Sequence, residues 1–158
     1  MALTIIAFAA LTLAVAVLME VVAWSLHKYG MHGALWILHE DHHHPRKKGF
    51  QKNDLFAVFF SAIAISIFLL GRITGLWVFT SVAIGVTLYG LGYFLFHDVM
   101  FHKRIPGFRI PARTPYFKRI INAHKVHHQN SGKSRGVSFG FLYAPPRYNA
   151  PETESAAG

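Results

Sequence analysis

Cysteine is absent from this chain of 158 residues. Its absence excludes disulfides, thiolate zinc sites and iron–sulfur clusters on their usual ligands, so any metal must be held by histidine and carboxylate. Acidic residues are scarce too, 7 against 16 Lys and Arg, for a net charge of +9. Charged residues make up 15% of the chain, 53% is hydrophobic and the mean hydropathy is +0.32. The apolar residues run in long blocks instead of the interrupted pattern of a soluble core, which reads as an all-α integral membrane protein.

The first block, Leu3 to Leu26, holds 24 residues with Glu20 as its only ionisable group. A helix needs roughly 20 residues to cross the hydrocarbon core, so this block spans once. No Lys or Arg precedes it, and it exceeds the roughly 7–15 residues of a secretory h-region, so it reads as a mature helix and not a signal peptide. The second region, Leu55 to Phe96, is long enough for two crossings, with Gly71-Arg72-Ile73-Thr74-Gly75 as the intervening turn. The expected architecture is one membrane-embedded domain over 1–158, a helical bundle with spans at 3–26, 55–70 and 75–96. Extensions carrying histidines fill 27–54 and 97–158, both on the same membrane face. Of the 16 Lys and Arg, 15 lie in those two stretches and only Arg72 lies at the opposite turn. Basic residues favour the cytoplasmic side, so the chain is expected in the plasma membrane with this face cytoplasmic and its N-terminus outside. The positive charge is thereby explained by orientation and anionic headgroups, without nucleic acid.

What is abundant is histidine. Ten of the 11 fall into two repeated spacings: His27…His32 and His97…His102 as H-x-x-x-x-H, and His39…His42-His43 and His124…His127-His128 as H-x-x-H-H. A lone histidine is usually a hydrogen-bonded structural residue, but ten in doubled register point to a polynuclear metal site. At ~100° per residue, positions i, i+3 and i+4 share a helix face, so each H-x-x-H-H trio faces one cluster. Positions i and i+5 lie ~140° apart, so each H-x-x-x-x-H requires a bend, a π-bulge or a helix end. His32 and His39 come into line if the first helix continues as a stalk through Trp36 and Leu38, although Gly30 and Gly33 each weaken it by about 1 kcal/mol. His44 falls ~140° from His39 and precedes Pro45, which disfavours helix, so it reads as a non-ligand. Asp98 and Asn122 sit beside histidines where they can orient imidazole N–H groups. Glu20, a carboxylate within a span, is a third candidate outer partner or a hydrogen-bonded structural residue. The 14 Phe, 6 Tyr and 3 Trp read as lipid-facing packing and interfacial belt.

Two irons can share such a set of neutral imidazoles and leave positions where dioxygen binds and is reduced to an oxidant able to attack an unactivated C–H bond. A lipid-soluble substrate would enter laterally from the bilayer, and Gly85 and Gly92 mark places where a helix leaves room. This favours a lipid oxygenase. A membrane cytochrome b needs only one axial pair per haem, placed within the spans, whereas these histidines cluster at span ends. A divalent-cation transporter needs ligands near the bilayer midplane, where only Glu20 is available.

The stretch His27…Trp36…His39-Glu40-Asp41-His42-His43, then His97-Asp98…His102, then Ala123-His124-Lys125-Val126-His127-His128 and Val137-Ser138-Phe139-Gly140-Phe141-Leu142 resembles the bacterial non-haem β-carotene hydroxylases of the fatty acid hydroxylase and sterol desaturase superfamily. The resemblance covers nearly the whole chain, and Ser138 to Leu142 sets it apart from the ketolases and the sterol or acyl-lipid desaturases that also carry histidine boxes. It implies a di-iron monooxygenase that uses O2 to hydroxylate C3 of a β-ionone ring, taking β-carotene through β-cryptoxanthin to zeaxanthin. Electrons would come from a reduced ferredoxin and ultimately NAD(P)H. The ten motif histidines carry over as iron ligands. The alternatives are a histidine-box hydroxylase or desaturase acting on a fatty acid or sterol and, from a different class, the metal transporter. A fourth crossing assumed for some relatives has no apolar segment here, and Val137 to Ala144 is expected to lie against the membrane surface.

Overall fold

A computed structural model describes residues 1–44 and 49–149. Pro45, Arg46, Lys47 and Lys48, which entered the readings of His44 and of the charge asymmetry, lie outside the described residues. Helix α1 (Ala2–Ser25) runs without a break into a π-helical stretch, Leu26–Ala34. The short α2 (Trp36–His43) follows, then α3 (Asp54–Thr74) and α4 (Trp77–Tyr93), which continues as a second π-helical stretch, Phe94–Phe101. Helix α5 (Pro115–Gln129) and a 3-10 turn at Pro146–Tyr148 complete the described elements.

Three of these helices are long and apolar enough to cross a membrane: Ala2–Ala34, Asp54–Thr74 and Trp77–Phe101. A helix satisfies its own backbone hydrogen bonds, which is what the hydrocarbon demands. Large apolar side chains such as Leu3, Ile6, Val17, Phe59 and Ile73 point outward, where lipid replaces water. The spans are longer than the apolar blocks alone indicate. Gly71, Arg72, Ile73 and Thr74, expected as a turn, extend α3, and the reversal narrows to Gly75 and Leu76. Gly75 supplies the left-handed conformation (φ 72°) and its N–H caps the Gly71 carbonyl. Gly71 is a packing residue instead: a Cβ there would lie 2.7 Å from Thr80 Oγ1, so the glycine lets α3 approach α4 closely.

Helix α4 is central, packed against α1 on one side and α3 on the other. Gly85 sits at the α1 crossing, where a Cβ would meet the Thr12 carbonyl oxygen and Val15 Cβ at 2.7 Å each. It makes a helix contact, not the substrate entrance expected of it. The first helix does not form a straight stalk either: Gly33 leaves helical geometry (φ −113°, ψ −124°) and the chain turns into α2. Helix α5 begins at Thr114, whose side chain accepts from the Phe117 N–H, with Pro115 at its first position. Its inner face, Ile120 and Ala123, buries against Ala144, with Phe101, Phe117 and Tyr148 around them.

Candidate metal centre

His27 and His32 fall in the first π-helical stretch, and His97 falls in the second with His102 as the residue that caps its C-terminal end. In a π-turn the backbone bond runs from i+5 to i, as the His102 N–H to His97 carbonyl bond of 3.0 Å shows, and residues five apart then stack on one face. That answers the ~140° mismatch of a regular helix.

Nine of the ten motif histidines converge into two groups. His27, His32, His39, His43 and His127 bring one ring nitrogen each within 4.8 Å of one another, and His42, His102, His124 and His128 do the same. Each H-x-x-H-H motif is divided between the groups. Its i, i+4 pair joins one and its middle histidine crosses to the other, so the first group receives His127 from α5 and the second receives His42 from α2. The first group therefore holds one H-x-x-x-x-H pair, one i, i+4 pair and one crossing residue, and the second holds His102 of its H-x-x-x-x-H pair, one i, i+4 pair and one crossing residue. His97, the tenth motif histidine, lies beside the second group and outside its converging nitrogens. Its ring packs 4.8, 4.6 and 4.9 Å from those of His42, His102 and His124, and its Nε2 lies 3.3 Å from the Tyr93 hydroxyl.

The hydrogen bonds of these rings fit a metal. Nδ1–H of His27, His32, His43 and His127 donates to the carbonyls of Phe139, Lys133, Asn130 and Val137, at 2.9, 3.0, 3.1 and 2.7 Å. His39 donates to Asn53 Oδ1 at 2.7 Å, His42 to Gln51 Oε1 at 3.1 Å and His97 to Asp98 Oδ1 at 2.9 Å. Every partner oxygen is an acceptor, so the hydrogen sits on Nδ1 and each Nε2 keeps its lone pair, which at His97 meets the Tyr93 hydroxyl and at the others faces the interior. The Nε2 atoms crowd together, His27 and His39 at 3.1 Å and His32 and His127 at 3.2 Å. Nε2 of His128 is buried and has no hydrogen-bond partner among the described residues. Buried nitrogen lone pairs without donors are what a cation would satisfy.

Beside the groups opens an apolar cavity of about 600 Å³ lined by all three spanning helices. Met19 and Ala23 of α1, Phe60 and Phe68 of α3 and Ile84 and Gly90 of α4 form its walls, and His27, His39, His97 and His124 close its inner end.

The family profile of the fatty acid hydroxylases matches residues 12–144. The chain belongs to the fatty acid hydroxylase family. It is 51% identical over 128 residues to a β-carotene hydroxylase of Pantoea ananas, covering 81% of this chain and 72% of the relative. A β-carotene hydroxylase of Paracoccus sp. (strain PC1) is 42% identical over 138 residues, 86% of this chain and 83% of its own length. The chloroplastic β-carotene 3-hydroxylase of Gentiana lutea is 39% identical over 141 residues, 86% of this chain and 42% of the plant protein. No solved structure matches the chain.

In this fatty acid hydroxylase family member the buried motif imidazoles outside the spans are held neutral. Burial first, and then repulsion from neighbouring imidazoles, lowers His43 and His128 from 6.5 to about 3 and about 2. His39 is lowered by burial to about 3 against the pull of its Asn53 bond, and His127 to about 4 against that of its Val137 bond. Burial followed by the Arg104 guanidinium brings His102 to about 4. Only the neutral ring offers a lone pair, so this environment keeps the groups ready for a cation.

Of the three candidate outer partners, Asp98 touches an imidazole, and Arg104 lies 3.6 Å from the same oxygen while holding Asp54 at the start of α3. Asn122 does not: its amide donates to the Tyr148 carbonyl at 3.4 Å, on the face of α5 away from the rings. Glu20 does not either; it binds Tyr89 and the backbone of 141–143. His44 is exposed, lies outside both groups and bonds the Ser131 carbonyl. Sequence reasoning missed Asn53 and Gln51. Asn53 stands at the N-cap position of α3, yet its side chain makes no cap bond and turns to His39 instead. Nor was the segment 130–139 legible, because it contributes through carbonyls that every sequence possesses. Val137 to Ala144 also departs from expectation. Val137 and Tyr143 stay exposed, but Phe141 and Ala144 are buried, Phe141 against Tyr89 of α4 and Ala144 against α5, and the 141–143 amides bond to Glu20 of α1.

Proposed function

We propose that this protein is a β-carotene 3-hydroxylase, an O2-dependent di-iron monooxygenase that converts β-carotene through β-cryptoxanthin to zeaxanthin. The observation that carries the reading is the junction of an apolar cavity open among spanning helices with two histidine groups at its inner end. The relatives named above are called β-carotene hydroxylases, which selects the substrate class among family members.

Two irons would be held by His27, His32, His39, His43 and His127, and by His42, His97, His102, His124 and His128. When bound they supply dioxygen activation, with one oxygen atom inserted into the C–H bond and the other reduced to water by electrons from a ferredoxin-type donor and NAD(P)H. The protein's own part is positional. The carotene has no polar group to steer it, so burial along Phe60, Phe68 and Ile84 at about 25 cal/mol per Å² holds its length while one ring reaches His27 and His97. The aromatic walls exclude water, and the acceptors on Nδ1 keep each ring in one tautomer and one orientation. Expression in cells that accumulate β-carotene, followed by chromatography, should yield zeaxanthin with β-cryptoxanthin as an intermediate. Unchanged β-carotene beside a modified fatty acid or sterol would transfer the assignment to another lipid.

The membrane is the plasma membrane, with the histidine groups cytoplasmic and the N-terminus outside, a reading supported by the 15 basic residues that the sequence places in the stretches 27–54 and 97–158 against Arg72 alone at the turn between the second and third spans. In the cysteine-free chain, Thr74→Cys should label from outside intact cells and Gly132→Cys only after permeabilisation. The reverse pattern would exclude a cytoplasmic electron donor.

A further inference from the structure

Glu20 sits seven residues before His27 on α1, about 10 Å along the helix at 1.5 Å per residue, and touches no imidazole. Its carboxylate is nevertheless fully engaged. Oε1 accepts the backbone N–H groups of Phe141 at 3.0 Å, Leu142 at 2.9 Å and Tyr143 at 3.4 Å, and Oε2 accepts the Tyr89 hydroxyl at 2.8 Å. Non-helical backbone at this depth beside a spanning helix is tolerated only where protein satisfies its polar groups, and one side chain here serves three consecutive amides. Gly140 is shaped to that contact, since a Cβ there would lie 3.0 Å from Glu20 Oε1 and 3.2 Å from the Tyr143 carbonyl oxygen.

The strap so pinned does two things. Upstream it presents the Asn130, Lys133, Val137 and Phe139 carbonyls to His43, His32, His127 and His27, four of the five rings in the first group. Downstream it places the Phe141 ring against Tyr89 and Tyr93, at 5.3 and 5.5 Å, where Phe139, Gly140 and Phe141 complete the cavity wall. We infer that Glu20 is a positioning residue which, by holding the 139–143 strap against α1, fixes both the orientation of the first histidine group and the cavity wall beside it. This rests on the hydroxylase reading above for its catalytic consequence, but the latch itself does not.

The test combines two readouts in the full-length membrane protein. Leu142→Cys reports the strap through its reaction rate with a water-soluble maleimide, on a chain with no other thiol. Hydroxylation in β-carotene-accumulating cells, at equal membrane levels, reports the site. Glu20→Ala should speed labelling at 142 at least tenfold and lower hydroxylation about 10- to 100-fold, the range for losing an outer partner of a metal ligand. Glu20→Gln keeps an acceptor for the amides and lets the Tyr89 hydroxyl accept from the new NH2, so it should restore both readouts to within a few-fold. Gly140→Ala keeps the Glu20 side chain but sets a Cβ against its Oε1 and displaces the strap, so it should reproduce the Glu20→Ala effect, with no further loss when the two are combined; it carries the test if Glu20→Ala fails to accumulate. Unchanged labelling in Glu20→Ala and Gly140→Ala would overturn the latch. Faster labelling with full turnover would overturn its link to the site, and Glu20→Gln as defective as Glu20→Ala would overturn the acceptor role. If wild type makes no zeaxanthin, the hydroxylase reading fails while the labelling arm still decides the latch.

Discussion

Removing the acceptor of His39 without touching a histidine tests whether outer hydrogen bonds set metal affinity here. Asn53 is 6% exposed and His39 2%, and their bond of 2.7 Å lies away from water. Asn53→Ala leaves the Nδ1–H donor buried without a partner, which costs about 1–3 kcal/mol, and the ring is then free to turn or change tautomer. Since 1.4 kcal/mol is tenfold in an equilibrium constant, metal affinity of the first group should fall about 10- to 100-fold. Asn53→Asp keeps an acceptor at the same reach and should hold affinity near or above that of the wild type. The assay is competition of the detergent-solubilised protein against a chelator series, followed by metal content. Helicity should not change, because Asn53 makes no side-chain cap bond to α3. Equal affinity in Asn53→Ala, or an equal loss in Asn53→Asp, would refute the reasoning.

Three further expectations follow from the same geometry. The purified protein should hold about two irons and lose most activity when any of the ten motif histidines becomes alanine, whereas His44→Ala, exposed and outside both groups, should be nearly silent in product assays. Imidazoles at about 3 in the folded state and 6.5 unfolded bind fewer protons when folded, so the metal-free protein should be most stable above pH 6.5 and lose stability as pH falls from there; a stability profile flat between pH 7 and 4.5 would contradict the burial of His39 and His43. Gly90→Trp fills open space in the cavity and should block carotene turnover while leaving membrane levels and iron intact, whereas Gly85→Trp should prevent folding by forcing α1 off α4; the opposite ranking in expression and product assays would misplace the substrate.

Much of this molecule follows from local rules. The apolar blocks establish three crossings because a bilayer of fixed thickness reads little beyond length and hydropathy. The H-x-x-x-x-H spacing demands a departure from α-helix, and π-turns occupy both places. Histidine spacing also names which rings share a helix face, since that depends only on helical pitch. Three features were beyond the sequence because they depend on how elements meet. The crossing of His42 and His127 between the two groups is set by the way α2 lies against α5, and no spacing within either helix encodes it. The outer partners are mostly backbone carbonyls of 130–139, identical in kind at every residue and selected only by the path of the chain. The third is the pairing of Glu20 with amides 121 to 123 positions away, which turns an apparently isolated intramembrane carboxylate into the anchor of the strap. Composition and period determined what crosses the membrane and which side chains face together. Tertiary packing alone decided which of them meet, because a contact between distant segments is fixed by the fit of whole helices and not by any local pattern.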